Sequence, residues 1–532
     1  MEPRWTAERW TRRRFLQAVG VVAVGGLSLG ALVREAVRGQ AGSSAAASSP
    51  SPALAALASG APSPAAPAAG PSGLRSFHSR PDLTPPAVSV DTPAHNVAPG
   101  YVFLTPNNGA GTDGPTIVDD TGELIWMRPD TGTHATDFRV AQLQGQPVLA
   151  WWEGTTNGGI GSGQCVIADS TYREIARIKA VGGRSIDLHE LQLTPQGTAL
   201  FFADSIVNGA QQLNGGQPLP WPVLDCAIQE VDIASGALLW EWHAIDHIGL
   251  DESLAGAPTT AASAYDYVHT NSIQLQADGS LLVSARNTSA LYRIERPGGS
   301  IVWRLGGRRS DFRFGPGASF GWQHDARFQP DGTLTLFDDE APPVPARALV
   351  LRVDEAARTV HLVRAYTRPS STLVSSQGNV QLLANGNLFV GWGSAPYCSE
   401  FSSDGCLLFD AAFPGGVQSY RDFRAEWVGD PTDDPAVAAQ AGGDGVTVYA
   451  SWNGATEVHR WDVLAGDRAD ALAFVASAPR SGFETAIRIP MPAMLVAVEA
   501  RDASGVTLGR SAVLAPGAAP PAAPPIGSPA GV

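Results

Sequence analysis

Cysteine, methionine and charge are all scarce in this chain: among 532 residues there are four Cys and four Met, and only 16% are charged. With 44% hydrophobic residues, that composition excludes a disordered chain outside the tails. The four cysteines include no Cys-x-x-Cys pair, which argues against a structural zinc site, and neither a metal nor a cofactor is expected. Long helical windows are missing too. Gly (58) and Pro (41) interrupt nearly every window longer than about ten residues, so the chain reads as all-β. Apart from Ala18–Val33, no stretch is long and apolar enough for a transmembrane helix. Positive charge is short as well. The net charge is −15, and residues 1–41 hold seven Arg against three Glu, so a mature chain starting near Gly42 carries about −19. Such acidity argues against a nucleic-acid partner.

What is present is a repeat. His189, Asn271 and His324 each stand seven residues before the turn of a β-hairpin, at Gln196-Gly197, Asp278-Gly279 and Asp331-Gly332. Apolar runs follow at Thr198–Phe202, Ser280–Ser284 and Thr333–Phe337. Alternating apolar residues ending in Asp-Gly mark a hairpin, because Gly supplies the positive φ of a tight turn. A second motif, apolar-x-Asp-x-x-Gly-x-apolar-x-Trp, recurs as Ile117 to Trp126, Val231 to Trp240 and, with Glu in place of Asp, Ile294 to Trp303. Weaker copies lie at 166–178, 351–363 and 400–409. Four strands per unit at a period near 50 residues predict a six-bladed β-propeller over 97–432. Its first blade, short of one strand, is expected to be completed by Phe423–Val428.

Outside the repeat, Arg12-Arg13-Arg14-Phe15-Leu16 before the apolar run, with Gly39-Gln40-Ala41 behind it, reads as a twin-arginine signal peptide over 1–41. An uncleaved anchor is the variant, and association with the cell envelope stays open with it. Residues 42–96 are expected to be a spacer, rich in Ala, Pro and Ser over 42–75, and 517–532 a tail. Residues 436–516 predict a small fibronectin-III-like β-sandwich. For an oxidising destination, Cys398 with Cys406, across a turn, and Cys165 with Cys226 are the expected disulfides, although three connectivities are open.

The residues that could carry chemistry gather in three segments: Asp187 to Glu190, Tyr265 to Asn287, and Trp322 to Asp325. His269 and Asn271 are two apart, so on a strand they share a face. Arg286 ends the partner strand and is expected beside His269. His189, His269, Arg286 and His324 are the candidate catalytic residues, with Asn271, Asp325 and Asn287 binding substrate. A guanidinium fork with imidazoles suits a tetrahedral oxyanion such as sulfate or phosphate. A neutral imidazole nitrogen can attack the central atom and hold the group covalently, while other imidazoles move protons. His78, His95, His134, His243, His247, His361 and His459 lack this register and read as structural or exposed.

At His269-Thr-Asn271, Ser284-Ala-Arg286, Gly306-Gly307, Asp311-Phe312, Gln323-His324-Asp325 and Phe337-Asp338 the chain resembles the arylsulfotransferase family, in its actinobacterial and fungal branch. The stretch from Ser376-Gln377-Gly378-Asn379 through Gly391-Trp392-Gly393 to Glu400 is similar too. Membership implies a six-bladed propeller. It also implies sulfate transfer from an aryl sulfate to a phenol, without 3′-phosphoadenylyl sulfate, by a ping-pong route through a sulfohistidine. By motif, His324 matches the sulfated histidine. His269, Asn271 and Arg286 match residues that bind the sulfuryl group, and His189 matches a further active-site histidine. A hydrolase using water as the acceptor, or a non-catalytic propeller binding a cell-surface ligand, are the alternatives. The latter would form no covalent intermediate.

Overall fold

The hairpin turns set the architecture; one device is common to all three and a second belongs to the two Asp-Gly turns. Gly197, Gly279 and Gly332 adopt φ of 79°, 84° and 79°, values that side-chain-bearing residues rarely take. The preceding carboxylates then hold the returning strand. Asp278 accepts from the Ser280 amide and hydroxyl at 3.0 and 2.6 Å, and Asp331 does the same for Thr333 at 2.9 and 2.6 Å. In this computed structural model the described residues are 73–520, apart from 131, 210–218, 261–262, 341–343, 371 and 491. The expected signal peptide, most of the spacer and the end of the tail lie outside them.

Six sheets follow one another along the chain, antiparallel except where Arg313–Phe314 pairs in parallel with Thr359–Val360 at the edge of the fifth. The second contains His134–Leu143, Gln146–Asn157, Ile160–Ala168 and Glu174–Ile178. In the third are Leu191–Leu193, Thr198–Phe202, Ala227–Asp232 and Leu238–His243; in the fourth, Thr270–Leu275, Leu281–Ala285, Ala290–Ile294 and Ile301–Gly306. The fifth is built on His324–Phe328, Thr333–Asp338, Arg347–Asp354 and Thr359–Tyr366, and the sixth on Asn379–Leu382, Leu388–Gly391, Tyr397–Phe401 and Leu407–Ala412. The first joins Tyr101–Leu104, Thr116–Val118 and Leu124–Met127 to the late strand Phe423–Ala425, with Tyr101 opposite Ala425.

One apolar cluster fills the space between each sheet and the next. Phe103 and Phe138 join the first and second sheets, Ile186 and Phe201 the second and third, and Ile228 and Ile273 the third and fourth. Leu305 and Leu336 lie between the fourth and fifth, and Phe337 and Val390 between the fifth and sixth. Val102 and Phe389 then join the sixth to the first. The leading strand of each sheet would leave an edge of unpaired amides, and side chains from the neighbouring sheet satisfy them. The Gln274 amide both donates to Phe328 O and accepts from Phe328 N, at 2.8 and 2.7 Å. Gln381 pairs with Arg424 in the same way at 2.9 and 2.8 Å, and Gln192 accepts from Leu275 N at 2.7 Å.

Beyond 436 the chain forms two further sheets. One holds Ala436–Gly442, Gly445–Ser451 and Glu484–Ile489; the other holds Ala473–Pro479, Arg460–Gly466, Leu495–Arg501 and Thr507–Arg510. They share a core around Val448, Trp461 and Val498. Asn453 fixes this module to the first sheet by accepting from Met127 N at 3.0 Å and donating to Met127 O at 2.9 Å.

Two expectations are corrected. The spacer does not extend to residue 96. Phe77 packs on Phe483 with ring centroids 4.5 Å apart, the Ser79 amide donates to Glu484 at 2.6 Å, and Ser89–Thr92 pairs with Leu407–Ala412. Its apolar and hydrogen-bonding side chains are used as mortar between sheets. The four cysteines are free. Cys398 stands opposite Ala411, whereas Cys406 belongs to the turn, where its amide bonds Ser402 at 3.0 Å. The hairpin register thus separates them by several rungs, beyond the reach of a disulfide. Cys165 and Cys226 lie in different apolar clusters.

Candidate active site

Three imidazoles are each held by a carboxylate at Nδ1. His189 bonds Asp187, His269 bonds Asp266 at 2.5 Å, and His324 bonds Asp339. A carboxylate on Nδ1 accepts the ring proton there and leaves Nε2 as the working nitrogen. The His189 and His269 rings meet edge to face, centroids 4.8 Å apart. His324 comes from the start of the fifth sheet's leading strand, the register position that His189 and Asn271 occupy beside or in theirs.

Backbone kinks aim these side chains. The leading strands of the second, fourth and fifth sheets slip register at Thr136/Arg139, Thr270/Ser272 and His324/Arg327. Asp137, His269 and Asp325 adopt φ of 56°, 54° and 53°, a region that non-glycine residues seldom enter and that concentrates at functional sites. The expectation that His269 and Asn271 share a strand face therefore fails in its reason: His269 precedes the strand in a left-handed turn.

Arg286 arrives where the hairpin argument put it, its amide donating to His269 O at 2.9 Å. Its guanidinium stacks 4.8 Å over the Trp322 ring and donates to Ser375 O and Asn287 Oδ1, both at 3.1 Å. Asn287 also donates to Asp266 O at 2.7 Å, so it braces the site rather than opening onto it. Asn271 donates to Gln323 O at 2.7 Å, and its buried Oδ1 has no protein partner. Arg286 Nε, Asp266 Oδ1, Asp339 Oδ1 and Gln377 Oε1 are likewise buried without one.

Burial pushes His324 well below 6.5, and Arg286, His189 and His269 push it further, so the ring is neutral. His189 is also held low by burial, against the pull of Asp187. Burial lowers Arg286, opposed by Asp339 and Asp266. Burial raises Asp339 well above the carboxylate range, with Arg286 pulling the other way.

Asp325 points elsewhere. It accepts from Arg327 at 2.9 Å and from Val380 N at 3.2 Å, as part of a buried network beside the histidines. There Arg421 donates to Asp137 at 3.0 Å, Glu190 at 3.3 Å and Asn271 O at 2.7 Å. Arg139 reaches Asp137 and Glu190 at 2.8 and 2.9 Å, and Arg327 also bonds Glu190. Burial would raise Glu190, but Arg327, Arg421 and Arg139 hold it well below its usual value. The arrangement brings His189, His269, Asn271, Arg286 and His324 together, and it places Asp325 and Asn287 in supporting structure.

Sequence reasoning missed Asp266, Asp339, Gln377 and Arg421. A signal for Arg421 existed. It stands three residues before Arg424, as His189, Asn271 and His324 stand three before Gln192, Gln274 and Arg327, the side chains that bond across to a neighbouring sheet.

An all-β chain of repeated sheets with a guanidinium and three carboxylate-held imidazoles is a protein equipped to bind and transfer an oxyanion. The arylsulfotransferase (ASST) family profile matches residues 139–414, and the chain belongs to that family. No curated protein matches it. Among solved structures it is similar to a protein of unknown function from Bacteroides caccae, with 15% identity, 62% of this chain and 100% of that one covered, and a TM-score of 0.38. It is similar to a catalytically inactive virginiamycin B lyase from Staphylococcus aureus with quinupristin, with 10% identity, 68% and 96% covered, and a TM-score of 0.33. A third is a GH43 protein from Bacillus licheniformis, with 9% identity, 72% and 89% covered, and a TM-score of 0.30.

Proposed function

We propose that the protein is an exported arylsulfate sulfotransferase that carries the sulfuryl group on His324, and that its six sheets are the blades of a closed propeller. The single observation behind the chemistry is the state of His324. It is a buried neutral imidazole whose Nδ1 is tied to Asp339 and whose Nε2 lies in the cluster with Arg286, His189 and His269. In the first half-reaction the Nε2 lone pair forms a bond to sulfur while the bond from sulfur to the aryl oxygen breaks, and that electron pair leaves with the phenolate. Arg286 presents its planar donors to the sulfuryl oxygens, and Asn271 and His269 complete the cradle. A second imidazole, His189 or His269, moves the proton to the departing oxygen and later takes one from the acceptor. The acceptor phenol then takes the sulfuryl group, and the electrons of the nitrogen–sulfur bond return to Nε2. No step calls for a metal.

Export is supported by the Arg12-Arg13 pair, and replacing both by Lys should retain precursor in the cytoplasm; unchanged export would remove the twin-arginine route. We read the seven-stranded C-terminal module as fibronectin-III-like. The test of function is mass spectrometry after incubation with 4-nitrophenyl sulfate alone. One added sulfuryl group is expected on the peptide containing His324, and label on another residue would overturn the assignment.

A further inference from the structure

His324 is gripped from both sides, and the two grips are not equivalent. On one side Nδ1 meets Asp339, which follows the strand Thr333–Asp338 paired to its own, with His324 opposite Phe337. On the other side the backbone N–H of Gln377 points at Nε2 from 3.3 Å. Gln377 has little freedom to turn away. It sits at φ 75°; the next amide, Gly378 N, donates to Tyr420 O at 3.0 Å, and Ser376 O accepts from Ser394 N at 3.1 Å. A Cβ on Gly393 would come within 2.6 Å of the Gln377 carbonyl carbon, so the packing there is tight. Among the described residues, no protein donor is aimed at Nε2 of His189 or of His269, although both also have Nδ1 on a carboxylate.

A neutral imidazole has one N–H. A backbone donor on Nε2 requires a bare nitrogen there, so the ring proton must sit on Nδ1, where Asp339 is the acceptor. Arg286, His189, His269 and Arg421 all face His324 with positive or potentially positive charge, and Asp338 lies next to Asp339. Burial raises Asp339, yet the ring proton on Nδ1 can be accepted only by an oxygen that bears none, so Asp339 Oδ2 is the acceptor in direct contact with the ring.

We infer that Asp339 is the positioning residue of the transfer reaction proposed above. With the Gln377 amide it locks His324 as the Nδ1–H tautomer, keeps the Nε2 lone pair free for sulfur, and balances the charge the ring gains on bonding. The inference rests on the reading of His324 as nucleophile. While the sulfuryl group is on Nε2, Nδ1 keeps its proton and the ring is cationic; that charge draws Asp339, raised by burial in the resting enzyme, to its carboxylate form, so Asp339 stabilises the intermediate more than the resting enzyme. The Gln377 N–H, displaced from Nε2 by sulfur, is then beside the sulfuryl oxygens and able to donate to one of them.

The test uses full-length protein with 15N-labelled histidine, and long-range 1H–15N spectra that distinguish the two neutral tautomers; His324→Gln assigns the signal. Wild type should show Nδ1 protonated and Nε2 bare. A wild-type spectrum with the proton on Nε2 overturns the proposal, whatever the variants do. In Asp339→Asn the signal should shift toward the other tautomer. The burst of nitrophenolate from 4-nitrophenyl sulfate should slow on the order of a hundredfold to ten-thousandfold, the scale on which a wrong tautomer acts elsewhere. Donor KM should change far less, and Asp339→Glu should restore part of the rate. An Asp339→Asn protein that keeps the Nδ1–H signal and its burst rate, or loses activity only through KM, refutes the positioning role. A locked tautomer in a protein that transfers no sulfuryl group would leave the lock standing and sink the functional reading instead.

Discussion

Two polar clusters adjoin among the leading strands, and they differ in what they leave unsatisfied. Around His324, the side chains of Asn271, Arg286, Asp266, Asp339 and Gln377 hold buried polar atoms without protein partners. Beside it, Arg139, Arg327 and Arg421 face Asp137, Glu190 and Asp325, three charges against three, in a mesh of ion pairs where Arg421 Nε and Asp137 Oδ2 are the buried atoms left over. A buried polar atom without a partner costs about 1–3 kcal/mol, so a protein keeps several in one place only where they do something else. The contrast is one of degree, and it fits the proposal of a ligand-receiving cluster beside one whose ion pairs hold strands together. The same three segments feed both, since His189 is followed by Glu190 and His324 by Asp325.

That contrast can be broken by mutation. The largest effect should come from His324→Ala, which removes the atom proposed to carry the sulfuryl group. Turnover of 4-nitrophenyl sulfate with phenol should fall at least about a thousandfold, or about 4 kcal/mol of barrier, with little change in melting temperature. A comparable loss of stability would show that the histidine cluster also holds the fold. Arg421→Met should do the reverse. Glu190 and Asp137 would each lose a buried partner, at about 3–5 kcal/mol in denaturant unfolding. Unchanged stability would mean that Arg139 and Arg327 suffice.

Arg286→Lys should cost about ten- to a hundredfold in rate while retaining charge, because an ammonium cannot reproduce the planar fork stacked on Trp322. Full activity would remove the fork from the mechanism. The pH dependence is a gentler probe. His189 and His324 are held below 6.5 when folded, so below that value the unfolded chain binds protons that the folded one refuses. Stability should therefore drop as pH falls through about 6.5, and His189→Gln should flatten the drop. Smallest of all, Cys406→Ser should leave melting unchanged under oxidising and reducing conditions, since the exposed thiol is unpaired.

Much of the architecture was legible because it is written locally. A tight Gly turn states its own conformation, and two Asp-Gly copies and one Gln-Gly copy in register gave the leading strands to within a residue or two. Phe423–Val428 was legible as a strand of the first sheet because that sheet lacked one, and the structure pairs Phe423–Ala425 of it there. What stayed illegible depended on strand offset or on distant pairing. Cys398 and Cys406 look well spaced for a bridge until the hairpin register sets them several rungs apart. Asp325, next to His324, reads as a site residue, yet a left-handed backbone turns it toward Arg327. Gln377 acts through its backbone on a ring 53 positions earlier, and nothing in its side-chain identity announces that.

Residues 420–425 tie completion of the proposed site to the timing of assembly. This one stretch lays Phe423–Ala425 against Tyr101–Leu104, sends Arg421 into the ion-pair mesh and stacks Tyr420 against His189 at 5.5 Å. A nascent chain makes its histidines long before it makes this segment. Until the segment docks, Glu190 lacks one of its three guanidiniums, and Asn271 lacks the donor on its carbonyl. Half-made protein thus lacks these contacts, and a fragment ending at 414, although it spans the whole family match, would lack both Gln418–Ser419 and Phe423–Ala425.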